Sequence, residues 1–123
     1  MKLLIVEDDA LIRKTVELKF KKEGYEVICC ADGKEGIEKL KSELPDIVLT
    51  DIMLPYHSGL EITKAAKAIS VKSIPVIVFS TMGQETMVEE AFSLGADDYV
   101  KKPFSLSELA IRIKRLAPLQ VKS

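Results

Sequence analysis

Asp46-Ile47-Val48-Leu49-Thr50-Asp51 is an apolar run bracketed by acids, and its reading decides the fold. Both side-chain parities are apolar across it, the pattern of a parallel strand covered on two faces; a half-exposed strand would alternate. Asp51 then stands at the carboxyl end of a buried strand, directly before Ile52-Met53-Leu54-Pro55. In open α/β sheets, ligands and chemistry collect at that edge, because the loops there vary while the strands hold them.

Upstream, Lys2 to Val6 is a shorter apolar run that also ends on acids, Glu7-Asp8-Asp9. From Ala10 to Lys22 the apolar positions Leu11, Ile12, Val16, Leu18 and Phe20 fall at helical spacings; Asp9 suits the N-cap and Gly24 the stop. Tyr25 to Cys30 is β-rich. Asp32-Gly33 turns the chain into a short helix marked by Ile37 and Leu40, which must end before Pro45. Downstream, Pro55, His57, Ser58 and Gly59 form a loop before a helix expected from about Leu60 to Ile69. Pro75 to Ser80 is the next apolar run and ends on a hydroxyl. A helix through Val88, Ala91 and Phe92 closes at Gly95, and Asp98-Tyr99-Val100 is the shortest strand, followed at once by Lys101-Lys102-Pro103. Ser105-Leu106-Ser107-Glu108 reads as a capping box opening the last helix, with Phe104 and Leu109 placed as a hydrophobic staple.

Strands alternating with helices require a crossover at each parallel step, so the expected fold is α/β: a doubly wound, flavodoxin-like five-stranded parallel sheet of order 2-1-3-4-5 with five helices. At 123 residues and 47% hydrophobic content the chain suits one domain, expected over 1–117, with 118–123 a tail or the start of a linker. Lys and Arg number 18 against 19 Asp and Glu, with no basic stripe, which argues against direct nucleic-acid binding. The apolar start is cut short by Glu7-Asp8-Asp9, too early for a signal peptide, and no segment reaches membrane-spanning length. A cytoplasmic location is expected. Adjacent Cys29 and Cys30, with no further Cys, offer neither a disulfide framework nor a thiolate zinc site and read as strand residues of a reduced protein.

In that strand order the switch point lies between the first and third strands, which bring Glu7, Asp8 and Asp51 together. Like charges at ~4 Å repel by about 4 kcal/mol per pair at an effective dielectric near 20, so a counter-charge is needed. Oxygen-only donors favour a hard cation, and Mg²⁺ suits a sparse carboxylate set that leaves room for water and phosphate oxygens. Lys102 supplies an ammonium from the fifth strand and Ser80 a hydroxyl from the fourth, completing a clamp for phosphate oxygens. Asp51, central among these groups, is the expected nucleophile toward a phosphoryl group.

The chain resembles response-regulator receiver domains over nearly its whole length. The matching pieces are Ile5-Val6-Glu7-Asp8-Asp9, Asp51 with Leu54-Pro55 and Gly59, Ser80, and Gly95-Ala96-Asp97-Asp98-Tyr99 running into Lys102-Pro103-Phe104. The resemblance implies that Asp51 is the phosphoacceptor and that Glu7, Asp8, Asp51 and the Met53 carbonyl hold Mg²⁺. It also implies that Lys102 contacts the phosphoryl group, that Ser80 and Tyr99 form the switch, and that Lys102-Pro103 is a cis peptide. The implied donor is the phosphohistidine of a sensor histidine kinase or a phosphotransfer protein. Two residues depart from the family pattern: Thr81 stands where Ala is usual, and Ser80 where Thr is commoner.

The stretch from Glu108 to Arg112, with Asp97-Asp98, resembles receivers of winged-helix transcription factors, in which the fourth helix, fifth strand and fifth helix form a homodimer face. Glu108 and Arg112 are also an i,i+4 pair, so a helix-surface salt bridge explains them as well. Met53 and Met82, two positions beyond Asp51 and Ser80, cannot orient an attacking water, which predicts a long-lived phosphoryl state. Lone His57 reads as an exposed loop residue. A nucleotide- or flavin-binding module needs a Gly- or Ser/Thr-rich loop after the first strand, where Glu7-Asp8-Asp9 would repel phosphate. A pseudo-receiver that binds partners without phosphorylation is the alternative; the complete set of acids, hydroxyl and lysine argues against it.

Overall fold

The computed structural model describes residues 1–116, so the expected tail at 118–123, and the domain boundary beside it, lie outside the described residues. Strands and helices alternate strictly: β1 (Lys2–Val6), α1 (Ala10–Lys22), β2 (Glu26–Cys30), α2 (Gly33–Glu43), β3 (Ile47–Asp51), α3 (Gly59–Lys67), β4 (Val76–Ser80), α4 (Glu85–Ser93), β5 (Asp98–Lys101) and α5 (Leu106–Leu116). All pairings are parallel, as the alternation requires, and the sheet order is the expected β2-β1-β3-β4-β5.

Alternate residues of the central strands feed two separate cores. Leu3, Ile5, Ile47, Leu49, Ile77 and Phe79 pack against Val16 and Phe20 of α1 and Leu109 and Ile113 of α5. Leu4, Val6, Val48, Val76 and Val78 pack against Leu40 of α2, Ile62 and Ala66 of α3 and Ala91 of α4. That is why the apolar runs show no alternation: each buried Leu, Ile or Phe contributes about 1.5–3 kcal/mol on whichever face it lands. Edge strand β5 does alternate, with Asp98 and Val100 buried and Tyr99 and Lys101 exposed.

Local chemistry sets the boundaries. Asp9 caps α1 by accepting from the Leu11 and Ile12 amides. The Tyr25 amide returns to the Phe20 carbonyl at 2.9 Å, so β2 begins one residue later than its composition suggests. Leu11 and Leu18, apolar positions in the helical pattern, face solvent; only Val16 and Phe20 of α1 are buried. The reciprocal capping box belongs to α3, between Ser58 and Glu61. At α5 the Glu108 amide donates to Ser105 Oγ at 3.0 Å, but the Glu108 carboxylate turns to Arg112 at 3.1 Å, so the expected second half of that box is replaced by an ion pair. Phe104 and Leu109 share one core, and Phe104 stacks on Phe79 with ring centroids 5.0 Å apart.

Candidate functional site

The carboxyl ends of β1 and β3 lie side by side, because Val6 is in register with Thr50. One residue beyond each rung come Glu7 and Asp51. One carboxylate oxygen from each of Glu7, Asp8 and Asp51 lies within 4.8 Å of the others. Glu7 is fully buried and Asp51 nearly so, while Asp8 is exposed.

Backbone and side-chain bonds fix these acids. The Asp51 carboxylate accepts from the Ile52 amide at 2.9 Å through Oδ1 and from Lys102 Nζ at 3.0 Å through Oδ2. The Lys102 ammonium also lies 2.7 Å from Glu7 Oε1, and Glu7 Oε2 accepts from the Asp9 amide at 3.1 Å. Lys102 therefore stands as an internal counter-ion between two acids of different strands. Burial pushes the Glu7 carboxyl up to about 7; Lys102 and the Asp9 amide oppose the rise, and the Asp51 charge adds to it. For Lys102, burial alone would lower the pKa, but the bonds to Glu7 and Asp51 outweigh it and raise it.

Glycines keep the loop after β3 close. A Cβ on Gly59 would collide with the Asp51 carbonyl, and one on Gly33 with the His57 carbonyl, so α3 and α2 can both start hard against the residues that follow Asp51. The Gly33 amide donates to the Pro55 carbonyl at 3.0 Å, tying α2 to the same loop.

The donor set fits a hard divalent cation. It is all oxygen, one oxygen from each of three carboxylates lies within 4.8 Å of the others, and buried Glu7 Oε1 has an ion pair but no aligned hydrogen-bond donor.

Ser80, buried at the end of β4, faces this edge from the next strand over; its carbonyl accepts from the Lys102 amide at 2.7 Å, and Lys102-Pro103 is cis. Tyr99 points outward, 41% exposed, and meets Phe92 edge-on at 6.0 Å between ring centroids. Between them, Ser80, Thr81, Val88, Phe92 and Tyr99 line a cavity of about 250 Å³.

A sequence profile of the response regulator receiver domain matches residues 3–114. The chain belongs to the response-regulator receiver family. This receiver is 40% identical over 114 residues to the transcriptional regulatory protein CrdR of Helicobacter pylori; the match covers 93% of this chain and 54% of that protein, so the chain spans about half the length of that relative. Among solved structures it is similar to the receiver domain of the Francisella response regulator 1452, with 31% identity, 97% and 98% of the two chains covered and a TM-score of 0.86. It is also similar to the receiver domain of the sensor histidine kinase PA1611 from Pseudomonas aeruginosa PAO1, described with a magnesium ion coordinated in its active-site cleft; there the identity is 26%, the coverage 95% and 97%, and the TM-score 0.84.

The structure thus brings Glu7, Asp8, Asp51 and Lys102 into one cluster, with Ser80 beside it. The expected interface residues of the receiver are engaged within the chain. Asp97 accepts from Lys67 Nζ at 2.7 Å and from the Val76 amide at 2.8 Å. Asp98 is held by Arg112 and Arg115 at 2.8–2.9 Å, and Glu108 by Arg112. His57 pairs with Glu61 at 2.8 Å on the surface. Burial pushes the Cys29 thiol up to about 11 and that of Cys30 to about 12, in keeping with inert strand residues. Sequence reasoning passed over Arg13, which donates to the Glu7 carbonyl at 2.7 Å. Its signal was an Arg one helical turn beyond the N-cap Asp9.

Proposed function

We propose that Asp51 is the phosphoacceptor of a two-component phosphorelay, taking a phosphoryl group from the phosphohistidine of a sensor kinase or phosphotransfer protein in the cytoplasm. The observation that carries this is the placement of Asp51: nearly buried at a strand end, held through both oxygens, and flanked by two further acids and one ammonium. Mg²⁺, held by Glu7, Asp8, Asp51 and the Met53 carbonyl, would neutralise charge on the phosphoryl oxygens and draw the donor and Asp51 together.

The chain's own residues do the rest. The Ile52 amide and Lys102 fix the Asp51 carboxylate so that one oxygen meets phosphorus in line with the departing imidazole. The P–N bond breaks as the P–O bond forms, and the histidine nitrogen keeps the electron pair. Lys102 then exchanges a carboxylate partner for a phosphoryl oxygen, and the Ser80 hydroxyl moves toward another. Withdrawal of Ser80 enlarges the space behind it, which suits an inward swing of Tyr99. The α4–β5–α5 face carries that change to a partner or to a second copy. Since Asp97, Asp98 and Arg112 are paired within the chain, dimerisation there would exchange these ion pairs between copies. The half-length match to a transcriptional regulator supports a receiver that controls a DNA-binding output.

Intact mass after incubation with acetyl phosphate is the test. One phosphoryl adduct is expected in wild type with Mg²⁺, and none with EDTA or in Asp51→Asn. No adduct under any condition would place the chain with phosphorylation-independent receivers.

A further inference from the structure

The loop that joins β1 to α1 carries two of the metal-binding acids in adjacent positions, yet its backbone leaves the sheet at Glu7. The Glu7 amide makes the last rung, donating to the Cys30 carbonyl at 3.0 Å. Its carbonyl takes a side chain: Arg13, in the first turn and a half of α1, reaches back toward the helix start and donates from Nη1 at 2.7 Å. That carbonyl belongs to the peptide joining Glu7 to Asp8. A peptide is planar, so holding its oxygen restrains the backbone torsions on either side, ψ of Glu7 and φ of Asp8, and with them the directions in which the two Cα–Cβ bonds leave the loop.

We propose that Arg13 is a positioning residue for the metal-binding carboxylates, setting Mg²⁺ affinity by locking the Glu7–Asp8 peptide. The inference rests on the receiver reading above. Asp8 makes it necessary: Glu7 is buried and held by Asp9 and Lys102, whereas no side-chain partner holds exposed Asp8 among the described residues, so its place depends on the backbone that carries it. Arg13 itself is anchored, since its own amide donates to the Asp9 carbonyl at 3.0 Å and Asp9 caps the same helix. The loop and the first turn of α1 form a closed ring of hydrogen bonds with the metal acids on its rim.

The sign of one measurement separates positioning from simple electrostatics. Arg13 is a cation near the site, so charge alone predicts that its removal tightens Mg²⁺ binding. Positioning predicts the reverse, and loss of a residue that orients metal ligands typically costs 10–100-fold in metal affinity. Titration calorimetry of folded protein with MgCl₂ is expected to give roughly ten-fold weaker binding for Arg13→Ala. Arg13→Lys keeps a donor and the charge and should recover most of the loss; Lys14→Ala, on the solvent side of the same helix, should change little. Circular dichroism at the titration temperature confirms that each variant is folded. Equal or tighter binding by Arg13→Ala overturns the proposal, as does failure of Arg13→Lys to recover any affinity. Asp8→Asn removes a ligand and tests the receiver reading by itself: wild type that binds Mg²⁺ and Asp8→Asn that does not uphold that reading whatever Arg13 does. Wild type that binds no Mg²⁺ overturns both.

Discussion

At the scale of single residues, the side chains around Asp51 divide into those that hold the acid and those that leave it open. Ile52 and Lys102 occupy its two oxygens, while Met53 and Met82 stand out toward solvent, 56% and 83% exposed. A thioether is a weak acceptor that cannot align a water for attack on phosphorus. Replacing Met53 by Glu or Asn puts a water-orienting oxygen at the mouth of the site without touching the groups that hold Asp51. The expected result is an altered phosphoryl lifetime with full phosphorylation, followed by loss of the mass adduct over time. Unchanged lifetimes in several such variants would sink the idea that Met53 governs hydrolysis.

At the scale of elements, ends of helices matter more than their middles. Ser58 and Glu61 close a reciprocal box at the start of α3, and Glu61 also binds His57, so one short segment holds the loop that follows Asp51. Ser58→Ala should lower the unfolding free energy by about 1 kcal/mol, read as a shift of the urea midpoint at constant slope. Unbroken apolar runs, separated by stretches with helical spacing, were enough to place the strands and helices, because two-sided burial leaves a strong imprint on β1, β3 and β4. The acids and Lys102 were legible for the same reason: a strand that stops on a charge delivers it to a known edge. What the pattern hid was choice among equivalent partners. Ser58-Gly59-Leu60-Glu61 and Ser105-Leu106-Ser107-Glu108 carry the same signature, yet the Glu108 carboxylate goes to Arg112 four residues on, while that of Glu61 returns to the Ser58 amide and to His57. Leu11 and Leu18 fit a helical stripe, but α1 covers the sheet with Val16 and Phe20, joined by half-buried Ile12. Arg13 was hidden because its partner is a backbone carbonyl, which carries no residue identity.

At the scale of the whole molecule, the cluster of acids is a source of instability that the fold tolerates and a bound cation would relieve, and pH exposes it. Glu7 titrates near 7 in the folded chain against 4.5 for an unburied glutamate. Between those values the native state binds more protons than the unfolded state, so stability falls as pH rises from 4.5 to 7 and levels off above. Carboxylates held low by surface partners, such as Glu17 and Glu61, change stability only at more acid pH and in the opposite direction. In EDTA, urea unfolding should therefore show wild type less stable at pH 8 than at pH 5.5, by on the order of 2 kcal/mol. Glu7→Gln cannot ionise there, and subtracting its profile from that of wild type cancels every other titrating group. Mg²⁺ would flatten the slope, because a metal that needs ionised carboxylates binds better as pH rises and so offsets the loss, stabilising the folded state by about 2.7 kcal/mol at a hundred times its dissociation constant. Identical pH profiles for wild type and Glu7→Gln in EDTA would show that Glu7 is ionised throughout, and that Lys102 and the Asp9 amide suffice to keep its charge buried.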